Sequence, residues 1–290
     1  MAISWDDLRT VLALVRGGTL ATAAAELGVA YTTVARRVAR AETAMGVTLF
    51  ERLAEGYVPT ETAQLVAEHA ATMEQSQDAL LRGVSGRDKR LTGRLTVTAP
   101  QLLIGPAMGK AIDAFCKAYP DVALDVRATN TPLDLTRREA DLAVRISRDP
   151  GDSLMGLRLA EQQTAAFAAP DLADRLLQDK SVPVEWLIYA DYDVVPKAVD
   201  RSWPDHRVRI RFDDMVAILG AARAGLGVAR LPFFLGRTTP GLVQISVLPP
   251  QPYMDIWVVA HRDVWPSAKV TAFRDILSAQ MRADRALYVA

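Results

Sequence analysis

The chain has 290 residues, 50% of them hydrophobic and 23% charged, with 34 basic side chains balancing 34 acidic ones. This composition describes a folded globular chain, excludes collagen-like, fibrous and disordered classes, and at about 100–200 residues per domain provides for two or three cores. Asp6 and Asp7 stand where a secretion signal carries positive charge, no uncharged apolar run reaches the roughly 20 residues of a membrane helix, and the single cysteine, Cys116, excludes an intrachain disulfide.

In chain order, Ser4 is placed to cap a helix in which Leu8, Val11, Leu12 and Val15 recur at helical spacing until Gly17 and Gly18. Thr19 opens a short alanine-rich helix, Ala21–Leu27, closed by Gly28, and a third helix begins near Ala30. Two helices joined by a short glycine-containing turn form a helix-turn-helix pattern. On the third helix Val34, Val38, Ala41 and Met45 fall within about 40° of one another and make a buried stripe. Thr32, Arg36 and Thr43 lie opposite, with Thr33 and Arg40 on one flank and Ala35 and Ala39 on the other. A small, polar, basic face suits the major groove, where arginine pairs with guanine O6 and N7 and alanine methyls meet thymine methyls. The candidate DNA contacts are Tyr31, Thr32, Thr33, Arg36, Arg37 and Arg40. A solvated helix face is the alternative, and net charge does not decide between them, since residues 1–90 hold ten basic and eleven acidic side chains.

Leu49–Arg52 and Tyr57–Thr60 flank a Glu55–Gly56 turn and read as a small β-wing, with Arg52 set to lie along a phosphate backbone. Thr60 then caps a long helix through about Leu81. Its residues Val66, Ala70, Met73, Gln77, Leu80 and Val84 follow the 4,3 spacing of a coiled-coil seam, which favours dimerisation over packing on its own domain. Gly83, Gly86 and Gly93 around the charged run Arg87–Arg90 mark a linker. Beyond it, strand-like runs at Leu95–Ala99, Val122–Thr129, Asp141–Ser147, Ala165–Ala169, Arg207–Phe212 and Ile256–Ala260 alternate with helical ones, which specifies an α/β sheet fold.

No catalytic or metal constellation emerges. His69, His206 and His261 are scattered, and Gly225-Leu-Gly227 follows a helix and precedes a strand, the reverse of a dinucleotide fingerprint, so no cofactor is expected. Cys116 sits beside Phe115 in a helical run, where a buried core position is expected.

These segments together resemble a LysR-type transcriptional regulator. The likeness is carried by Ala23, Ala24 and Leu27, by TTVARRVARAE at 32–42 and GVTLFER at 46–52, and further on by ADLAVRI at 140–146, AAP at 168–170 and GLGVARLP at 225–232. Departures are Val-Ala-Tyr at 29–31 where the family usually has Ser-Gln-Pro, and Gln64 where it has Gly. The resemblance implies a winged helix-turn-helix domain at 1–60, a linker or dimerisation helix and hinge at 61–92, and an effector domain at 93–290. That last domain would have a periplasmic-binding-protein-like fold of two α/β lobes, lobe I at about 93–162 and 266–290 and lobe II at about 163–265. The crossings are expected near Glu161–Thr164 and His261–Pro266.

In such folds ligands sit at the carboxyl ends of strands. The effector contacts expected on that basis are Pro100, Gln101, Leu102, Thr129, Asn130, Phe212 as an apolar wall, and Arg145 as counter-ion for a carboxylate. An ordinary ion pair of Arg145 with Asp141 or Asp149 is the alternative. The implied partners are double-stranded DNA at pseudo-palindromic promoter sites, a small organic acid or aromatic effector, a second copy in a homodimer or homotetramer, and RNA polymerase. A cytoplasmic location without a membrane partner is expected. A solute carrier, or an enzyme on the same two-lobed fold, are the rival readings.

Overall fold

The computed structural model describes residues 3–53, 56–149, 151, 153–191 and 194–290. The chain divides into two compact units, Met1–Arg82 and Gly83–Ala290.

In the first unit, helix α1 (Trp5–Gly17) opens on a capping box: Ser4 Oγ accepts from the Asp7 amide and the Asp7 carboxylate accepts from the Ser4 amide at 3.1 Å. Helix α2 (Leu20–Leu27) is capped by Thr19, whose Oγ1 accepts from the Thr22 amide at 3.1 Å. Gly28 at φ 65° ends it in the left-handed conformation, which turns the chain into helix α3 (Tyr31–Met45). Val34, Val38 and Ala41 of α3 are buried against Val11, Leu14 and Ala23, and each large aliphatic so placed contributes about 1.5–3 kcal/mol.

Strands β1 (Phe50–Leu53) and β2 (Gly56–Pro59) pair antiparallel as the expected wing, while Glu55 of its turn lies outside the described residues. Helix α4 (Glu61–Gly86) is capped by Thr60, whose Oγ1 accepts from the Ala63 amide at 3.2 Å. It runs past the expected end at Leu81, because an isolated glycine such as Gly83 costs a helix only about 1 kcal/mol. Ala67 and Ala70 of α4 are buried with Leu12 of α1, and Trp5 Nε1 donates to Gln77 Oε1 at 2.6 Å. The early part of the predicted seam therefore packs on its own unit. Met73, Leu80 and Val84 remain exposed.

The second unit carries two sheets. The lobe I sheet has the order β4 (Val122–Ala128), β3 (Gly93–Ala99), β5 (Leu142–Ser147), β13 (Asp255–His261), β6 (Leu154–Ala160). β3 is parallel to β4 and β5, and β13 is antiparallel to β5 and β6. The lobe II sheet has the order β11 (Val243–Ile245), β7 (Gln163–Ala168), β10 (Val228–Pro232), β8 (Val184–Tyr189), β9 (His206–Phe212), with β12 (Gln251–Pro252) beside β7.

The outward crossing, between β6 and β7, lies at 161–162 as expected. The return does not lie at His261–Pro266: the chain crosses back at Tyr253–Met254, between β12 and β13, and 255–261 belongs to lobe I. β13 lies between β5 and β6 and is buried on both faces, with Ile256 and Val258 in one core and Val259 in another. A strand apolar on both faces carries no mark of which sheet it joins.

Helices α5 (Gln101–Leu103) and α6 (Gly109–Ala118), joined by a π-helical turn Ile104–Met108, pack with α10 (Ala268–Ala283) on the lobe I core, where Phe115 and Phe273 meet edge to face. Cys116 is exposed, not buried as expected. Ala111 and Phe115 define the inner face of α6, and the next residue is rotated 100° away from it. Helices α7 (Pro170–Gln178), α8 (Met215–Arg223) and α9 (Phe233–Thr238) complete lobe II, and α9 places Phe233 in its core and Phe234 in that of lobe I.

Candidate functional site

On α3, Thr32, Arg36 and Thr43 are exposed, opposite the buried stripe, and Tyr31 stands 63% exposed at the first turn. Three arginines share this helix but not its duties. Arg37 pairs with Asp6 at 2.6 Å. Arg40 clasps Asp7, a fully buried side chain, with Nε donating to Oδ1 at 2.9 Å and a second contact from Nη2. Burial pushes the Asp7 carboxyl up, but hydrogen bonds from Arg40 and Ser4 outweigh that and hold it below its ordinary value.

The acidic first turn of α1 thus captures two of the three cations and fixes α3 against α1. The Arg36 guanidinium has no ion pair or hydrogen bond among the described residues. Thr33 is half-buried beside it, and on the wing Arg52 is exposed with its guanidinium 5.8 Å from the Tyr57 ring centre. The exposed α3 surface is therefore polar with one guanidinium left unpaired among the described residues, and Arg37 and Arg40 are held in the framework by Asp6 and Asp7.

The second unit holds a cavity of about 610 Å³ between its lobes. Pro100, Leu102, Asn130 and Ile146 line it from lobe I; Thr164, Leu187, Tyr189, Met215, Ile218 and Arg230 line it from lobe II; Tyr253 and Met254 of the return crossing close one side. Of the expected contacts, the structure brings Pro100, Leu102 and Asn130 to this cavity. Asn130 Nδ2 donates to Asp214 Oδ2 at 3.0 Å, and Asp214 Oδ1 in turn caps α8 by accepting from the Val216 and Ala217 amides, so the side chain fastens a lobe I loop to a lobe II helix.

Gln101, Thr129, Arg145 and Phe212 do not line the cavity. Gln101 is exposed at the start of α5, and Thr129 Oγ1 is occupied by the Thr131 amide at 3.1 Å. Phe212 packs into the lobe II core with Ile210 and Met215. Arg145 is a matter of strand period: Val144 faces the lobe I core and Ile146 the cavity, so Arg145 points to the other side of β5. There its Nη2 donates to the Leu133 carbonyl at 3.0 Å, and burial pulls the guanidinium below its ordinary value. It pairs with neither Asp141 nor Asp149 among the described residues.

An arginine does face the cavity: Arg230 on β10, whose Nε donates to Thr164 Oγ1 at 2.8 Å while its terminal nitrogens have no protein partner among the described residues. Lys197 and Asp191 add one charge of each sign at the wall. Arg230 was missed because it belongs to a short strand between α8 and α9. The signal available was its place within GLGVARLP, an arginine amid small and apolar residues.

Comparison with known proteins agrees with this division. Residues 5–64 match the family model of the bacterial regulatory helix-turn-helix protein, lysR family, and residues 88–282 match the LysR substrate binding domain. The chain is 27% identical to the Mau operon transcriptional activator of Paracoccus denitrificans, over 89% of this chain and 90% of that one. It is 28% identical to the transcriptional activator AmpR of Rhodobacter capsulatus, over 78% of this chain and 79% of that one. Among solved structures, the full-length virulence activator AphB of Vibrio cholerae shares the fold with TM-score 0.58 and 21% identity, over 95% and 99% of the two chains. CrgA, a LysR-type transcriptional regulator of Neisseria meningitidis, does so with TM-score 0.57 and 18% identity, over 97% of this chain and 99% of that one. A helix-turn-helix with a solvent-facing basic residue, followed by a two-lobed domain with a ligand-sized cleft, thus coincides with the two matched models, and the chain belongs to the LysR family of DNA-binding transcriptional regulators.

Proposed function

We propose that this regulator reads a pseudo-palindromic DNA site through α3 and responds to a small organic acid held between the lobes of its second unit. The observation that carries the acid reading is Arg230, a guanidinium with unused donors in an otherwise largely apolar cavity of about 610 Å³. That size and lining suit a metabolite with a hydrocarbon or aromatic body, and a carboxylate is the group that a guanidinium fork pairs with bidentately. Thr164, Asn130, Pro100 and Leu102 complete the contact set. Arg230 takes the counter-ion role first assigned to Arg145.

At the DNA, Arg36 is the base-reading residue, Tyr31, Thr32 and Thr33 flank it, and Arg52 meets the backbone from the wing; Arg37 and Arg40 hold the helix in position. The exposed Met73, Leu80 and Val84 of α4 favour a homodimer or homotetramer, which would set recognition helices about 34 Å or a multiple apart. The effector acts by binding two lobe arrangements with different affinity. No described helix is long and apolar enough to cross a membrane, and a regulator bound to promoter DNA works in the cytoplasm, with RNA polymerase as its onward partner.

The test is capture of fragmented genomic DNA by the purified chain across a salt series, with and without a panel of carboxylic acids. Enrichment of a few pseudo-palindromic sites, with affinity falling steeply in salt and shifting with one acid, is the expected result. Enrichment that no acid changes would overturn the effector reading. Uniform, non-selective capture would overturn the site-specific one.

A further inference from the structure

Lobe I carries a second, smaller pocket of about 350 Å³, distinct in lining from the interlobe cavity. Leu95 and Val97 of β3 face the lobe I core, so Arg94 and Thr96 project from the opposite face of the sheet, where they meet Arg127 of β4. Arg138, from the segment before β5, and Lys269, in the first turn of α10, close the pocket, and Ser85 of α4 borders it. Four basic side chains thus face two acidic ones, Glu139 and Asp141.

Both acids are engaged by backbone amides. Asp141 Oδ2 accepts from Thr96 at 2.8 Å and Glu139 Oε2 from Asp134 at 2.6 Å, and neither forms an ion pair with the four cations among the described residues. Two of the cations are occupied as well: Arg94 pairs with Asp125, and Lys269 Nζ donates to the Thr92 carbonyl at 3.1 Å and lies 3.9 Å from Asp88.

The other two are not. The Arg127 guanidinium has no ion pair or hydrogen bond among the described residues, although its carbonyl accepts from Thr98 Oγ1. Arg138 donates from Nη2 to Ser85 Oγ at 3.0 Å, but its Nε is buried without an acceptor. A buried donor without an acceptor is rare in folded proteins. Arg138 is also the one described non-glycine residue at positive φ, 60°, in the left-handed region where strained functional residues are found.

We propose that this pocket binds a tetrahedral oxyanion, with Arg127 and Arg138 as its principal donors and Ser85 Oγ beside them. Guanidinium forks match the oxygens of phosphate and sulfate, and Arg138 Nε supplies a donor that no group among the described residues uses. The pocket wall offers only Leu95, Val264 and Val270 as apolar residues, so the hydrocarbon of an organic acid has little to pack on. The anion is a free inorganic ion or the phosphate group of a small phosphomonoester.

The experiment is isothermal titration calorimetry of the full chain with sodium phosphate, sodium sulfate and glucose 6-phosphate, against sodium chloride at matched ionic strength. Saturable binding of at least one of the three is expected, weakened at least tenfold by Arg127→Gln and by Arg138→Gln. Arg36→Ala and Arg230→Gln should leave it within twofold, which separates this pocket from the DNA-facing helix and from the interlobe cavity. Equal affinity for phosphate and the ester points to the inorganic ion, and binding of the ester alone points to a metabolite. Absence of saturable heat with all three, or wild-type affinity in Arg127→Gln, overturns the proposal.

Discussion

Each unit contains an arginine the fold has used and an arginine it has left available. In the first, Arg40 is spent on the buried carboxylate of Asp7, while the guanidinium of Arg36, one turn earlier on the same helix, meets no acceptor among the described residues. In the second, Arg145 is spent on a backbone carbonyl behind β5, while Arg230 is tethered, among the described residues, only through Nε and faces the cavity. The first unit separates the two duties by a local acidic turn on α1; the second separates them by the two-residue period of a strand and by which strand reaches the cavity. Where the fold supplies a guanidinium no partner it is free for the recognition role proposed above, and where it supplies one the same residue type is structural.

The largest expected effect tests the available arginine of the second unit. Arg230→Gln removes charge-assisted bonds worth about 1.5–3 kcal/mol, so affinity for a carboxylate effector should fall roughly 10- to 100-fold, read by titration of the full chain. Undiminished affinity would mean that the effector is neutral or lies elsewhere. Next comes its counterpart on α3. Arg36→Ala should cost about 1–3 kcal/mol of discrimination at one base position, seen as relaxed preference at that position in binding to a library of site variants. A uniform loss across all sequences would instead make Arg36 a phosphate contact.

Asp7→Ala tests the spent pair of the first unit. Losing the carboxylate half of the capping box costs about 1 kcal/mol, and hydrogen exchange of the α1 amides should accelerate accordingly. The pH dependence has a definite sign. The Asp7 carboxyl is held below its ordinary value, so its stabilisation is complete above about pH 4, the unfolded-state range, and is lost as pH falls through the depressed folded value. In Asp7→Ala the acid-induced loss of α1 protection should be shallower than in the parent chain.

The same contrast explains what could be read in the sequence. The first unit was legible almost throughout, because caps at Ser4, Thr19 and Thr60, stops at Gly18 and Gly28, and the Val34–Val38–Ala41 stripe are all local signals. The ion pairs of Arg37 and Arg40 were not legible there: the acids that engage them lie thirty-one and thirty-three residues earlier. In the second unit the strands were visible, but sheet membership was not, which misplaced the return crossing. The cavity depends on which strand ends the topology brings together, so Pro100, Leu102 and Asn130 were found from strand ends, whereas Thr164, Arg230 and Met254 join them only through long-range pairing.

Arg145 supplies the smallest effect. Its neighbours on β5 leave no ambiguity of direction, since Ile146 lines the cavity and adjacent strand residues face opposite sides of a sheet. Opposite it in the ladder stands Trp257, and beyond it a small cluster holds Leu133, Leu135 and Val259. Arg145→Met keeps the unbranched stem against that cluster and gives up one hydrogen bond to the Leu133 carbonyl, a net contribution of about 1 kcal/mol. Effector affinity should therefore stay within about twofold of the parent chain while the melting temperature falls by a few degrees, roughly 2–4 °C for a domain of this size. A loss of affinity comparable to that of Arg230→Gln, at unchanged stability, would show that the effector reaches through the sheet to the face where Arg145 lies, and would assign the two arginines the opposite duties.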